Sequence, residues 1–243
     1  MGQGKQWQVG LFPGALDPRG KVCIAIDVLR ASSTVVTALA LGAQEVVAVT
    51  SLRQARSLAR RLGYLLCGER GGLPPPRFHL GNSPAQLRPE VVGGKGLVLT
   101  TSNGTRLLAS LAEARAVLVG CLLNREAVAR AALALDGPVA LVCAGEGGGR
   151  RLALEDVIGA GAIVDAALSL EPRLMLDDGA QMAHWAFLAC RDDLGGALAN
   201  TQHGLYLLSL GLGEDVRFCA RLDVWDVVPR MEALAPNIAV LRP

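Results

Sequence analysis

The sequence predicts an α/β fold in which parallel strands lie under a cover of helices. Short apolar runs of strand length alternate with longer segments of helical periodicity, and this alternation is typical of βαβ units. Gly42 and Gly63 follow two of the helical segments, at the position where a helix often ends on a left-handed residue. No apolar run approaches the roughly 18 residues that would suggest a membrane span. We therefore expect a soluble protein.

The alternation defines five pairs of a strand and a helix in the first two thirds of the chain. Each strand is a short apolar run such as VCIAI at 22–26, and each helix repeats apolar residues three and four positions apart. The predicted strands are 22–26, 45–49, 97–100, 116–119 and 139–143, and the helices that follow them are 33–41, 52–62, 105–114, 126–135 and 154–168.

The last third of the chain has a different pattern. Residues 177–221 are predicted to be mostly helical, and short strands near 224–228 and 238–241 are predicted to form edges of the sheet. No low-complexity linker separates this part from the rest. Residues 1–243 are therefore treated as a single unit.

Charge, cysteine pattern and the N-terminal segment argue against several classes of function. The 21 Arg and 3 Lys are offset by 22 acidic residues, and a net charge of only +2 does not indicate a nucleic-acid-binding protein. The six cysteines are scattered and form no C-x-x-C pair, which predicts buried free thiols rather than a zinc or redox site. The N-terminus has no apolar stretch of the signal-peptide type, so we expect a cytoplasmic protein. An apolar content of 51% is compatible with a homo-oligomer, which the sequence leaves open.

One segment interrupts the alternation. Residues 68–84, GERGGLPPPRFHLGNSP, lack periodicity and are rich in Gly and Pro. Loops of this length in compact domains are usually functional or disordered. Because Leu73, Phe78 and Leu80 argue against disorder, the segment is predicted to be an ordered lid or a wall of the site.

The turns that follow the strands are the candidates for a site, because ligands of parallel α/β sheets bind outside the carboxyl ends of the strands. Four polar turns stand at such positions: DVLRASST at 27–34, CGERGG at 67–72, TTSNGT at 100–105 and CAGEGGGRRLALED at 143–156.

In the first turn, Ser32 or Ser33 is predicted to cap the following helix. The free N–H groups of its first turn, facing Arg30, would then form an anion site. A second interpretation stays open, in which the serines only cap the helix and Arg30 pairs with Asp27.

The turn at 100–105 contains Asn-Gly, which usually indicates a β-hairpin. Here Leu107, Leu108 and Leu111 follow with helical spacing, so a strand, a tight loop and a helix fit better. Three hydroxyls before a Gly at a helix start predict a second anion cradle, although an ordinary capped helix would have the same sequence.

Carboxylates supply the remaining chemistry. Asp27 and Glu69 stand at strand ends, and together with Asp156 they would offer the few oxygen ligands that Mg²⁺ requires besides water and substrate oxygens. Glu155 is more simply explained as a partner of the helix dipole. His203, in a Gln-His-Gly setting at a predicted helix start, is a candidate for proton transfer or phosphate contact.

The sequence lacks the motifs of several known classes of nucleotide-binding protein and phosphatase. The nucleotide motifs G-x-x-x-x-G-K-S/T and G-x-G-x-x-G are absent, no Cys precedes an Arg by six positions, and Asp27-Val28-Leu29 lacks the Asp-x-Asp of haloacid dehalogenase enzymes. For the phosphatase that the resemblance described next implies, these absences would favour attack by a metal-bound water over a covalent intermediate, with Asp27 or Glu69 as metal ligand or base.

Six sequence blocks together resemble the 2-phosphosulfolactate phosphatase (ComB) family. The blocks, which run in that family's order from about residue 21 to 230, are IDVLRASSTVVTALALGA, GERGG, LGNSP, LTTSNGT, ALEDVIGAGAI and HGLYLLSLG with EDVRFCARLDVWDVVP. The resemblance implies a fold of two similar, intertwined three-layer α/β/α halves with a largely parallel sheet. It also implies a Mg²⁺-dependent phosphatase that converts (2R)-2-phospho-3-sulfolactate to 3-sulfolactate and phosphate, a step toward coenzyme M.

The resemblance also implies the residues of the site. Those that match the family blocks are Asp27, Arg30, Ser32, Ser33, Glu69, Arg70, Gly71, Asn82, Thr101, Asn103, Gly104, Thr105, Glu155, Asp156 and His203. Ala-Ser-Ser-Thr stands where the family is expected to have Ala-Thr-Thr-Thr or a mixture of Ser and Thr, and Thr-Gln-His-Gly stands in place of Ser-Ser-His-Gly. Hydroxyls, His and Gly are retained in both.

Two alternatives to this function stay open. One is a phosphatase acting on a different small 2-phospho acid. The other is a non-catalytic sensor that binds a phosphorylated or sulfonated metabolite through the same anion cradles.

Overall fold

The computed structural model of the chain describes residues 5–235 and 237–243. The described strands are β1 Gln6–Gly10, β2 Val22–Ile26, β3 Glu45–Val49, β4 Leu65–Gly68, β5 Gly96–Thr100, β6 Ala116–Gly120, β7 Val139–Cys143, β8 Met175–Leu176, β9 Arg230–Ala235 and β10 Ile238–Arg242. The described helices are α1 Ala31–Ala40, α2 Leu52–Leu62, α3 Pro89–Val92, α4 Gly104–Ser110, α5 Arg125–Ala134, α6 Leu154–Leu170, α7 Asp178–Cys190, α8 Leu194–Ala199, α9 Gln202–Ser209 and α10 Gly213–Cys219. The five predicted pairs of strand and helix are all present.

The strands form one mixed sheet in the order β4-β5-β3-β10-β9-β6-β2-β7-β1-β8. Six of its nine described pairings are parallel, so the sheet is largely parallel as predicted. The three antiparallel pairings all involve the hairpin of β9 and β10, which joins the group β4-β5-β3 to the group β6-β2-β7-β1-β8.

Two predictions about the C-terminal strands are wrong. Residues 224–228 form no strand, and β9 begins later, at Arg230. The apolar side chains of Val224, Trp225 and Val227 instead pack against the core from irregular chain, so burial and not strand pairing explains that apolar run. The final strand β10 was expected at an edge, but it lies inside the sheet because both β3 and β9 bond to it.

Helices cover both faces of each strand group, which gives the three-layer α/β/α arrangement. α5, α6 and α7 pack on one face of β1, β2, β6 and β7, where Ile24, Leu141 and Phe187 are buried. α1 and α4 pack on the opposite face and also contact β3 of the other group. α2 covers the remaining face of β3, β4 and β5. The two groups therefore share the layer of α1 and α4.

The chain interleaves these groups, since it forms β1 and β2 in one, β3 to β5 in the other, and then β6 to β8 in the first again. A division into two similar halves stays a prediction.

Local signals explain several helix boundaries. Gly63 follows α2 at a φ of 69° in the left-handed region, as predicted from the sequence. α1 begins at Ala31, two residues before the predicted start, which places Ser32 and Ser33 inside its first turn. The described residues contain no helix long and apolar enough to cross a membrane. All six cysteines are free thiols, and every one except Cys190 is buried.

Candidate active site

Three predicted turns and one C-terminal helix meet at a cleft of about 420 Å³. The turns after β2, β4 and β5 contribute most of the lining, and α9 closes one side. The lining residues are Asp27, Leu29, Arg30, Glu69, Gly71, Gly72, Asn82, Thr101, Ser102, Asn103, His203 and Tyr206. Eight of these were predicted from the sequence, and the structure therefore brings the predicted turns together.

Asp27 follows the last residue of β2 and is buried at the floor of this cleft. Its Oδ1 accepts a hydrogen bond of 3.0 Å from the N–H of Ala31, the first residue of α1. Asp27 thus caps the helix, and the prediction that Ser32 or Ser33 would do so is wrong because the helix starts earlier. Its Oδ2 accepts no hydrogen bond from the part of the chain that the structure describes. Only 2.7 Å separates this oxygen from the position that a Cβ at Gly104 would occupy, so Gly104 allows the close approach.

The hydroxyls of Ser32 and Ser33 are bonded to backbone. Ser32 Oγ accepts the N–H of Asp27 at 2.9 Å, and Ser33 Oγ donates to the carbonyl of Val28 at 2.8 Å. Both serines therefore fix the turn that carries Asp27. Substrate binding by these residues stays a prediction.

Arg30 is almost fully buried and is held by two partners. Its guanidinium donates to Asp215 Oδ2 at 2.7 Å and to the carbonyl of Gly72 at 2.6 Å. The alternative in which Arg30 pairs with Asp27 is therefore wrong. Asp215 also accepts the hydroxyl of Ser83 at 2.6 Å, so this carboxylate joins the turn after β2, the loop at 68–84 and α10. Sequence reasoning missed Asp215, because an acid in the first turn of a helix is an ordinary feature.

Glu69 joins the second turn to the third. Its Oε1 accepts the N–H of Ser102 at 2.6 Å, while Oε2 accepts the N–H of Gly72 at 3.0 Å and the hydroxyl of Ser102 at 3.2 Å. Arg70 points away from the cleft and donates to the carbonyls of Glu69 and Thr50 and to Thr100 Oγ1. The Glu69 carboxylate faces the cleft and already accepts three hydrogen bonds, one from Gly72 and two from Ser102.

Asn82 lines the cleft from the loop at 68–84, and this long segment thus forms part of the wall. Its side-chain Oδ1 is buried and has no hydrogen-bond partner among the described residues. A buried acceptor without a donor costs about 1–3 kcal/mol. A donor group on a ligand or a water is therefore expected at this position.

The turn at 100–105 is built as a strand, a tight loop and a helix, as predicted. Thr101 Oγ1 accepts the N–H of Thr105 at 3.2 Å, and Thr105 Oγ1 donates to the carbonyl of Thr101 at 2.9 Å. Asn103 Oδ1 accepts the N–H of Gly148 at 2.9 Å and so connects this turn to the glycine-rich fourth turn. These bonds fix the backbone that faces Asp27.

Three buried carboxyl groups stand together beneath the cleft. Burial raises the pKa of Asp27, Glu155 and Asp156. The charges of Asp27 and Glu155 raise the pKa of Asp156 further. None of the three pairs with a basic side chain of the described residues. Asp156 accepts the N–H groups of Val28 at 2.8 Å and Gly145 at 3.1 Å, which anchors the first and fourth turns to α6.

His203 lies in the first turn of α9, where Thr201 caps the helix by accepting the N–H of Gly204 at 3.0 Å. The imidazole faces the cleft, and its Nδ1 is 3.8 Å from Glu146 Oε1. The neighbouring Tyr206 donates its hydroxyl to the carbonyl of Gly71 at 3.0 Å. α9 is thereby fastened to the second turn.

The predicted metal ligands are not a ready-made cluster. Across residues 5–235 and 237–243, no group of three or more His, Cys, Asp or Glu side chains is arranged to hold a metal ion. The reason is visible at Glu69 and Asp156, whose oxygens already accept N–H groups. A metal role for Asp27, Glu69 and Asp156 stays a prediction.

The comparisons agree on one family. A family model described as 2-phosphosulpholactate phosphatase matches residues 13–233. The chain is 40% identical to a protein of Deinococcus radiodurans over 230 residues, which are 92% of each chain. It is 38% identical to a protein of Carboxydothermus hydrogenoformans over 210 residues, covering 86% of this chain and 85% of the relative. Both relatives carry the name "Probable 2-phosphosulfolactate phosphatase".

Proposed function

Because the chain belongs to the 2-phosphosulfolactate phosphatase family, we propose that it hydrolyses (2R)-2-phospho-3-sulfolactate to 3-sulfolactate and phosphate. The observation that carries the proposal is the cleft itself. It combines Oδ2 of the buried residue Asp27, which accepts no hydrogen bond from the described residues, with the unpartnered Oδ1 of Asn82 and the backbone turns after β2, β4 and β5. These two acceptors would receive the attacking water or a cation, since the phosphate, carboxylate and sulfonate of the ester offer no hydrogen-bond donor.

Mg²⁺ is the cofactor that we propose for this site. Asp27, Glu155 and Asp156 are oxygen donors, they are buried without ionic partners among the described residues, and burial raises the pKa of each. A divalent cation would compensate this concentration of negative charge. Since Mg²⁺ needs only one or two carboxylates besides waters and phosphate oxygens, Glu155 or Asp156 would suffice to hold it, and Asp27 Oδ2 is left for the attacking water. When bound, the cation would supply charge stabilisation of the phosphoryl group.

The residues of the chain have distinct parts in the proposed reaction. Asp27, directly after β2, would hold or accept the proton of the attacking water at Oδ2. Glu69 keeps the turns after β4 and β5 at a fixed distance through Ser102 and Gly72. His203 faces the same cleft and would donate a proton to the oxygen that leaves phosphorus. Asn82, Thr101 and Asn103 would contact the substrate.

Phosphate release from synthetic 2-phospho-3-sulfolactate tests the proposal. We expect turnover in the presence of Mg²⁺, loss of activity after chelation, and a decrease in kcat of at least about 100-fold in Asp27→Asn, the range typical of a lost acid or base. Asp192→Asn is the matched control, since that carboxylate is fully exposed and lies outside the cleft. Absence of phosphate release would refute the proposed reaction.

The same assays distinguish this phosphatase from the two alternative functions, a phosphatase with another substrate and a non-catalytic sensor. A phosphatase with a different substrate would release phosphate from another 2-phospho acid, and a sensor would gain thermal stability with the ligand without turnover. A cytoplasmic location, a place in coenzyme M synthesis and a homo-oligomeric state stay predictions.

A further inference from the structure

A second groove of about 640 Å³ lies beside the active-site cleft, and three arginines line it. We name it the arginine groove and define it by Arg70, Arg106, Arg150, Thr101, Ser102 and Gly148. Thr101 and Ser102 also line the active-site cleft. The two depressions thus share the wall formed by residues 101–102.

The arginine groove concentrates the positive charge of three guanidinium groups. No carboxylate of the described residues lies within ion-pair distance of Arg70, Arg106 or Arg150, whereas the buried Arg30 nearby is paired with Asp215. Burial lowers the pKa of Arg70, the charge of Glu69 raises it, and the charge of Arg106 lowers it again. Like charges gathered at one groove favour the binding of an anion.

Arg70 is also held in position for such a role. It is half-buried, and three of its N–H groups are bonded to Glu69, Thr50 and Thr100. A guanidinium has five N–H donors in a rigid fork, so two remain for a ligand. Arg106 approaches from the next turn, with one terminal nitrogen 3.3 Å from the position that a Cβ at Gly148 would occupy. The glycine therefore leaves room for this guanidinium.

We propose that the arginine groove binds the second anionic group of the substrate, a sulfonate or a carboxylate, while the phosphate lies in the cleft beside Asp27. This inference rests on the proposed function. It adds Arg106 and Arg150 as residues that determine specificity for that second anionic group. Arginine suits this purpose because its planar fork matches the oxygens of such groups.

Kinetics with three substrates test the inference in Arg106→Gln/Arg150→Gln. 2-Phospho-3-sulfolactate carries a sulfonate and a carboxylate, 2-phospholactate carries only the carboxylate, and isopropyl phosphate carries neither. We expect kcat/KM for phosphosulfolactate to fall about 100-fold, or about tenfold for each charge-assisted hydrogen bond, and that for isopropyl phosphate to stay within about twofold. A parallel loss with phospholactate identifies the carboxylate as the bound group, and an unchanged value identifies the sulfonate. Equal changes with all three substrates would overturn the inference.

Binding provides a readout that does not depend on turnover. The affinity of 3-sulfolactate, measured by calorimetry, should be at least tenfold weaker in the double variant than in the parent. Arg60→Gln is the matched control, because Arg60 is also exposed but lines a different surface groove. If the chain released no phosphate from any ester, the proposed function would fail, and this comparison would still decide whether the groove binds the anion. Equal affinities in the double variant and the control would show that it does not.

Discussion

Removal of the Asp215 carboxylate leaves the Arg30 guanidinium buried without its ionic partner. The two side chains are only 3% and 2% exposed, and the shortest distance between them is 2.7 Å. Breaking a buried pair by deleting one partner costs about 3–5 kcal/mol, because the other charge stays desolvated. Asp215→Ala should therefore lower the free energy of unfolding by about 4 kcal/mol. For a chain of this size the melting temperature should fall by roughly 8–16 °C.

Urea unfolding followed by circular dichroism measures this loss. The control is Asp192→Ala, whose fully exposed carboxylate lies 4.0 Å from Arg191 and should contribute less than about 0.5 kcal/mol. Arg30→Met combined with Asp215→Leu removes both charges and should recover much of the stability. A loss below about 1 kcal/mol in Asp215→Ala would refute the reasoning that this pair is buried and compensated.

Three further predictions concern stability and reactivity. Asp27→Asn keeps the oxygen that caps α1 but removes a buried charge. Burial raises the pKa of Asp27, so its charge destabilises the fold only as the pH rises above the pKa of an unfolded Asp. The variant should be about 1 kcal/mol more stable than the parent at pH 8 without metal and equally stable near pH 3, and equal differences at both pH values in thermal scans would contradict this. Gly68→Ala should cost at least about 2 kcal/mol, because Gly68 has a φ of +146° and a Cβ would stand 2.1 Å from the Thr100 carbonyl; unchanged urea unfolding would count against it. Cys190 should be alkylated before Cys67, whose pKa burial raises to about 12; peptide mass spectrometry at pH 8 that found both thiols alkylated at the same rate would contradict this.

The sequence predicts those parts of the fold whose signals are local. β2 and β5 are buried along their whole length, and runs such as VCIAI indicate a strand between two helical layers. β1, QWQVG, was missed because no helical segment follows it closely. β9 was missed because the apolar run at 224–228 looks like a strand but is buried as irregular chain. In both cases tertiary packing decides whether the segment forms a strand, and a local sequence pattern carries no information about that packing.

The same distinction holds for the site. The turn positions of Asp27, Glu69 and Asn103 could be predicted, since residues after parallel strands gather at one place. What each group bonds to could not be predicted, because the partners lie far away in the sequence. Arg30 and Asp215 are 185 positions apart, and Asp156 reaches Val28 across 128. Single-sequence patterns contain no signal for such pairs.

The position of the hairpin of β9 and β10 inside the sheet has a consequence for synthesis on the ribosome. β3 and β6 are made within the first half of the chain, yet the strands that bond to their inner edges come last. Until residues 230–242 have emerged, both edges expose unpaired N–H and C=O groups, which are the usual starting points of aggregation. We therefore expect the nascent chain to complete its sheet only after residues 230–242 have been made, with both edges open to self-association until then.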